Sequence, residues 1–296
     1  MLSPAAPAPF LDCTAELGEG LLWHPELGTL WWVDITRHLI AEWNPATQQR
    51  RQWHMNQTVS ALVPAPGGQL LAILADGIYR FDPTTGVPTF LVCPPEHDAQ
   101  RLRFNDAKCD PQGRLWAGTL AHDGVPGQAR LYRIDADGST HVMLEGVDLA
   151  NGLAWSPAGD TFYFVDSLKR NVQAFDFDGT TGNLSRPRIA LDLSAIPGVP
   201  DGCTIDTDGN LWIAHWDGAR ISRWNPTTGE HLGDLTLPVQ QVTNCTFGGP
   251  DLDQLYITTA ACGLTEEQQR AQPLAGRLFT APPATTGYPA HGYTTG

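Results

Sequence analysis

Six polar residues recur along the chain at one place in a repeat: Glu19, Ser60, Asn105, Asn151, Asp201 and Asn244 each precede an apolar anchor (Leu30, Leu70, Leu115, Phe162, Leu211, Leu255) by 10 or 11 residues. Two carboxylates and three carboxamides, with no Cys or His among them, form an oxygen-donor set. Such a set suits a hard divalent cation such as calcium, magnesium or manganese. Two carboxylates brought close together would also repel unless a cation or a proton lay between them. A single polar residue in a wet channel needs no such explanation, and Ser60 alone reads equally well that way. Six at one level are harder to dismiss.

Whatever these residues do, a repeat must bring them together. The anchors open similar apolar runs, GTLWWVD, GQLLAIL, GRLWAGT, DTFYFVD, GNLWIAH and DQLYITT, spaced by 40, 45, 47, 49 and 44 residues. After each comes a second motif that closes on a turn: IAEWNPAT, IYRFDPTTG, LYRIDADG, VQAFDFDG, ISRWNPTTG and the degenerate LFTAPPATTG. Asn/Asp-Pro and Asp-Gly are the chemistry of tight reversals between strands. A period of this length with several strands per unit predicts an all-β protein, a six-bladed β-propeller, rather than a sandwich. The first strand of each blade lines the central channel, so residues about 40 apart in sequence converge on one axis.

Composition agrees. Charged residues are only 17% of the chain, while Gly (30), Pro (24) and Trp (10) are plentiful, as expected of short strands and turns. A net charge of -14 argues against nucleic acid and anionic membranes as partners, because a phosphate backbone needs a basic face. No run reaches the roughly 18 apolar residues of a membrane span and no signal peptide is evident, so a soluble cytoplasmic protein is expected. The six cysteines show no CxxC pair and read as reduced, mostly buried thiols. Residues 1–296 read as one propeller domain, with about 1–12 and 283–296 irregular.

The motifs GEGLLWHP, RFNDAKCDPQGRLWAGT, NGLAWSP, FYFVDS, PDGCTIDTDGNLWIA and TNCTFGGPDLDQLYITTA resemble those of the senescence marker protein/regucalcin and gluconolactonase family, from about residue 15 to residue 280. The resemblance implies a six-bladed propeller that holds one divalent cation at the channel mouth and hydrolyses sugar lactones. It implies Glu19, Asn151 and Asp201 as metal ligands, with Arg103 and Asn105 facing the substrate. An acidic residue after GTM also reaches the sugar in the family. In GTLAHDG its nearest match is Asp123, with His122 as competitor. Calcium is the first expectation for the cation, with zinc, manganese or iron(II) as alternatives.

Within that frame Asp201 is the candidate general base. A paraoxonase-like esterase and a non-catalytic calcium-binding propeller are the competing readings. Asp34 and Asp166 read either as supports for the ligands or as turn caps. Asp106 faces either the substrate or a turn, and His215 shapes the pocket or packs in the core.

Overall fold

The computed structural model describes residues 6–295, and they fold into six four-stranded antiparallel sheets. The inner strands are Gly18–His24, Val59–Ala65, Leu102–Cys109, Ala150–Trp155, Val199–Ile205 and Val242–Gly248. Each packs beside the next and the sixth returns to the first, which closes the ring of a six-bladed propeller. The six anchors all fall in the second strands, which run from Thr29–Asp34 in the first blade to Gln254–Thr259 in the sixth.

A sheet has two faces to bury, and a ring of sheets buries both against its neighbours. Six separate apolar clusters accordingly fill the six gaps between blades. Trp31, Val33 and Ile40 meet Val59, Leu62 and Phe81 between blades one and two, for example. Trp116 and Leu131 meet Leu153 and Phe162 between blades three and four. Trp31, Trp116 and Trp212 are wholly buried.

The lower turns are braced by aspartate. In DPQGRLW, Asp110 accepts hydrogen bonds from the backbone N–H groups of Gln112 and Arg114, from Arg114 Nε and from Trp116 Nε1. DTDGNLW repeats the device: Asp206 accepts from the N–H groups of Asp208 and Asn210, from Trp212 Nε1 and from Arg223 Nε.

Both chain ends take part in the ring. Ala8–Pro9, within the segment expected to be irregular, pairs with Phe279–Ala281 as the outer edge strand of the sixth blade. An edge tolerates proline because its missing N–H is not needed there. At the other end residues 283–295 form no strand, yet they cross the lower face. Gly287 N donates to Leu252 O at 2.9 Å, Tyr293 N to Pro64 O at 2.7 Å and Thr294 N to Gly113 O at 3.0 Å. Between the inner strands a cavity of about 300 Å³ is bounded in part by Tyr288–His291 of this tail. Residues 1–5 and 296, part of both expected irregular ends, lie outside the described residues. Among the described residues no helix is long and apolar enough to cross a membrane.

Candidate metal centre

The six polar positions share a backbone cause. Every inner strand has a register break against its second strand at that level: between Glu19 and Leu22, Val59 and Ala61, Phe104 and Ala107, Ala150 and Leu153, Pro200 and Cys203, and Val242 and Asn244. A β-bulge adds a residue to one strand and re-aims the side chains beside it. Six bulges at one level turn the ring residues toward the channel. The strands also approach closely here. A Cβ on Gly152 would lie 2.7 Å from Cys203 Sγ, and one on Gly202 would lie 2.4 Å from Asn244 Cγ. Glycine after Asn151 and Asp201 is therefore a condition of the packing.

The three asparagines of the ring are not equivalent. Asn105 is spent at both ends, with Nδ2 donating to Ala150 O at 2.9 Å and Oδ1 accepting from Arg103 Nη1 at 2.9 Å. Asn244 gives its Nδ2 to Glu19 Oε2 at 3.0 Å, and Gly20 N donates to the same oxygen at 3.0 Å. Asn151 gives Nδ2 to Ser167 Oγ at 3.0 Å, while its Oδ1 is buried with no hydrogen-bond partner. A buried acceptor left bare costs free energy unless something fills it. The donors on Glu19 converge on Oε2, so Oε1 remains available beside it.

Electrostatics point the same way. Burial first, and then the nearby Asp106 carboxylate, push the Glu19 carboxyl up to about 7, against lesser relief from Asn244, Gly20 and Arg103. Burial, Glu19 and Asp106 hold Asp201 well above the usual carboxylate range. Among the described residues no three His, Cys, Asp or Glu side chains come close enough to hold a metal by themselves. The bare amide oxygen of Asn151 would add a third donor to Glu19 and Asp201. Bare oxygens and mutually repelling buried carboxylates are what a divalent cation would satisfy, so the residues present fit one.

Two cations face these acids, and they are the only Lys or Arg residues within the six inner strands. Both belong to the third blade. Desolvation lowers the pKa of Arg103, opposed by its attraction to Glu19 and Asp201. The Lys108 ammonium crosses the channel to donate to Cys203 O of the fifth blade. Lys108 escaped the sequence reading, although as the one lysine on any inner strand it was a visible signal. Asp106, left open between two roles, is buried, and its Oδ1 accepts from Ala107 N at 2.9 Å while Oδ2 has no partner. Its carboxyl is raised above the ordinary value by burial, with Lys108 opposing.

The remaining candidates fall outside the ring. Asp34 accepts from Glu16 N and Leu17 N, and Asp166 from Asp148 N and Leu149 N, so both cap the chain that leads into an inner strand. His215 is wholly buried and shares a 2.7 Å hydrogen bond with Ser222 Oγ, and its pKa falls to about 4 through burial. The packed alternative holds for it. Asp123 is exposed on a turn, where its carboxylate accepts from Val125 N at 3.1 Å, and His122 beside it is exposed as well. All six cysteines are free.

Fold and ring together define a class: a closed six-bladed propeller whose inner strands carry a ring of polar, oxygen-bearing side chains. Residues 17–261 match the model of the SMP-30/Gluconolactonase/LRE-like region, and the chain belongs to that family. It is 37% identical over 277 residues to "Putative sugar lactone lactonase YvrE" of Bacillus subtilis (strain 168), an alignment that covers 94% of each chain. It is also 37% identical over 283 residues to regucalcin of Danio rerio, covering 94% of this chain and 95% of that one. Among solved structures, the calcium-binding protein regucalcin of Agrobacterium tumefaciens superposes with a TM-score of 0.93 at 28% identity, over 98% of this chain and 97% of that chain.

Proposed function

We propose that the chain hydrolyses sugar lactones, opening an aldonolactone of a pentose or hexose to the aldonic acid with the help of one divalent cation, calcium first. The observation that carries this reading is the bare, buried Oδ1 of Asn151 beside two carboxylates whose pKa values are raised by burial and by neighbouring acids, Asp106 for both and Glu19 for Asp201. Glu19, Asn151 and Asp201 would hold the cation. Bound there, it supplies a Lewis acid to an ester carbonyl.

The chain's own residues account for the rest. Hydrolysis needs a water delivered to the carbonyl carbon and a group that takes its proton. Asp201 serves as that base and returns the proton to the ring oxygen as the C–O bond breaks. Burial raises its proton affinity toward the range such a role requires. Arg103 spends Nη1 on Phe104 O and Asn105 Oδ1, at 3.1 and 2.9 Å. Those bonds fix the plane of the guanidinium and leave its other donors for sugar hydroxyls or the developing oxyanion. Several hydrogen-bonding groups at the mouth suit a polyol better than an aryl ester. Asp123, with His122 beside it, would reach the sugar from the rim.

The family's regucalcin relatives support calcium, and the lactonase relative supports the reaction class. The test is a panel of five- and six-membered sugar lactones assayed by proton release, using chelator-treated protein with single metals added back. Turnover that depends on an added cation is expected. Hydrolysis confined to aryl esters would favour the paraoxonase-like reading, and cation binding without any turnover the non-catalytic one.

A further inference from the structure

A carboxamide presents either an acceptor or a donor to a cation, and only the acceptor binds. Oxygen and NH₂ are almost the same size, so packing hardly distinguishes the two orientations and hydrogen bonds must do so. At Asn151 the deciding partner is Ser167, whose Oγ accepts from Nδ2 at 3.0 Å. Ser167 is 2% exposed and follows the second strand of the same blade, Thr161–Asp166. Its own backbone N–H donates to Leu149 O at 3.1 Å, two residues before Asn151. Asp166 ties down that same segment through the N–H groups of Asp148 and Leu149, both at 3.2 Å. The hydroxyl is therefore held at a fixed place relative to the amide.

A hydroxyl can donate as well as accept, so Ser167 alone would tolerate the flipped amide. Asp201 removes that freedom. The Asn151 amide also lies beside the Asp201 carboxylate, whose pKa it lowers. A flipped amide would set its oxygen against that anion. The two neighbours together select one orientation, with Nδ2 inward to Ser167 and Oδ1 left bare.

We propose that Ser167 is a positioning residue that locks the carboxamide of Asn151 with its oxygen toward the cation. This inference rests on Asn151 being a metal ligand, as proposed above. Removal of such a supporting partner typically costs about 10–100-fold in metal affinity.

The test is calcium titrated calorimetrically into the chelator-treated full chain. Ser167→Ala is expected to weaken binding by about 10-fold or more, and Ser167→Thr to restore most of it. In an Asn151→Asp background the two side-chain oxygens are alike and no orientation needs selecting. Adding Ser167→Ala there is expected to change the dissociation constant by less than about 2-fold. Matching cation-free melting curves for the wild type and Ser167→Ala separate orientation from loss of folding. Wild-type affinity in Ser167→Ala would overturn the proposal, as would the same loss in both backgrounds. A wild type that binds no cation would overturn the metal reading itself.

Discussion

Asp201 and Asp206 lie five residues apart on one blade, both buried, and they are opposites. Asp206 sits at the lower end of the inner strand, filled with donors from two backbone N–H groups, an indole and a guanidinium. Asp201 sits at the upper end among other acids, with the Gly202 N–H and the Asn151 amide as its hydrogen-bonding relief. A buried carboxylate whose lone pairs are all occupied holds the fold together. One that is short of donors and crowded by like charge is kept at a cost to stability, and that cost marks function. The same contrast separates Asp110 from Glu19.

Substitution at each end should break the comparison in opposite ways. The largest effect belongs to Asp201→Asn. Turnover is expected to fall by about 10²–10⁴, the usual contribution of a general base, while the chelated protein melts no lower than the wild type. Initial rates and melting curves on one preparation check both halves; full turnover with bound metal would refute the base assignment. Next comes Asp206→Ala, which strands Trp212 Nε1 and the Arg223 guanidinium. A loss of about 3 kcal/mol is expected, with calcium affinity of the folded fraction unchanged. Denaturant unfolding and calcium titration decide it.

Gly202→Ala lies between these two. Its Cβ would collide with the Asn244 amide, which holds Glu19 Oε2. A stability loss of about 1–3 kcal/mol should accompany weaker calcium binding, measured by melting and calorimetry. The most gradual effect is a pH dependence. Glu19 has its folded pKa raised from 4.5 to about 7, so between those values the folded state carries the extra proton. Stability of the chelated protein must then fall as pH rises from about 4.5 through about 7. Calcium should abolish the slope, since it replaces the proton. Melting temperatures from pH 5 to 8, with chelator or with calcium, test the sign; a chelated protein that gains stability over that range contradicts it.

Much of this was legible in the sequence because the blades repeat in register. A fixed offset from six apolar anchors was enough to find the six ring positions, since strands at equal positions in a ring share one height, while the choice of Glu19, Asn151 and Asp201 among them came from the family's motifs. The anchors themselves follow from packing between blades, which any apolar alternation reveals. Other features escaped for physical reasons. The orientation of each asparagine depends on Ser167, Glu19 or Ala150, distant residues with no shared spacing. Ala8–Pro9 lacks any strand pattern, because an edge strand with exposed side chains needs none. The tail across the lower face is held by main-chain hydrogen bonds and by the burial of Tyr293, and backbone contacts leave little trace in residue types. The lower aspartates, by contrast, were written plainly in DPQGRLW and DTDGNLW, yet their indole partners became visible only in three dimensions.

The bulges carry one more consequence. The backbone break is present beside Ser60 as it is beside Glu19, so it belongs to the blade rather than to its occupant. The propeller is in effect a six-socket frame, in which the residue placed in each socket can change without redrawing the frame. A new coordination set for another metal could be written into this chain by exchanging occupants at Ser60 or Asn244 while every strand stays where it is.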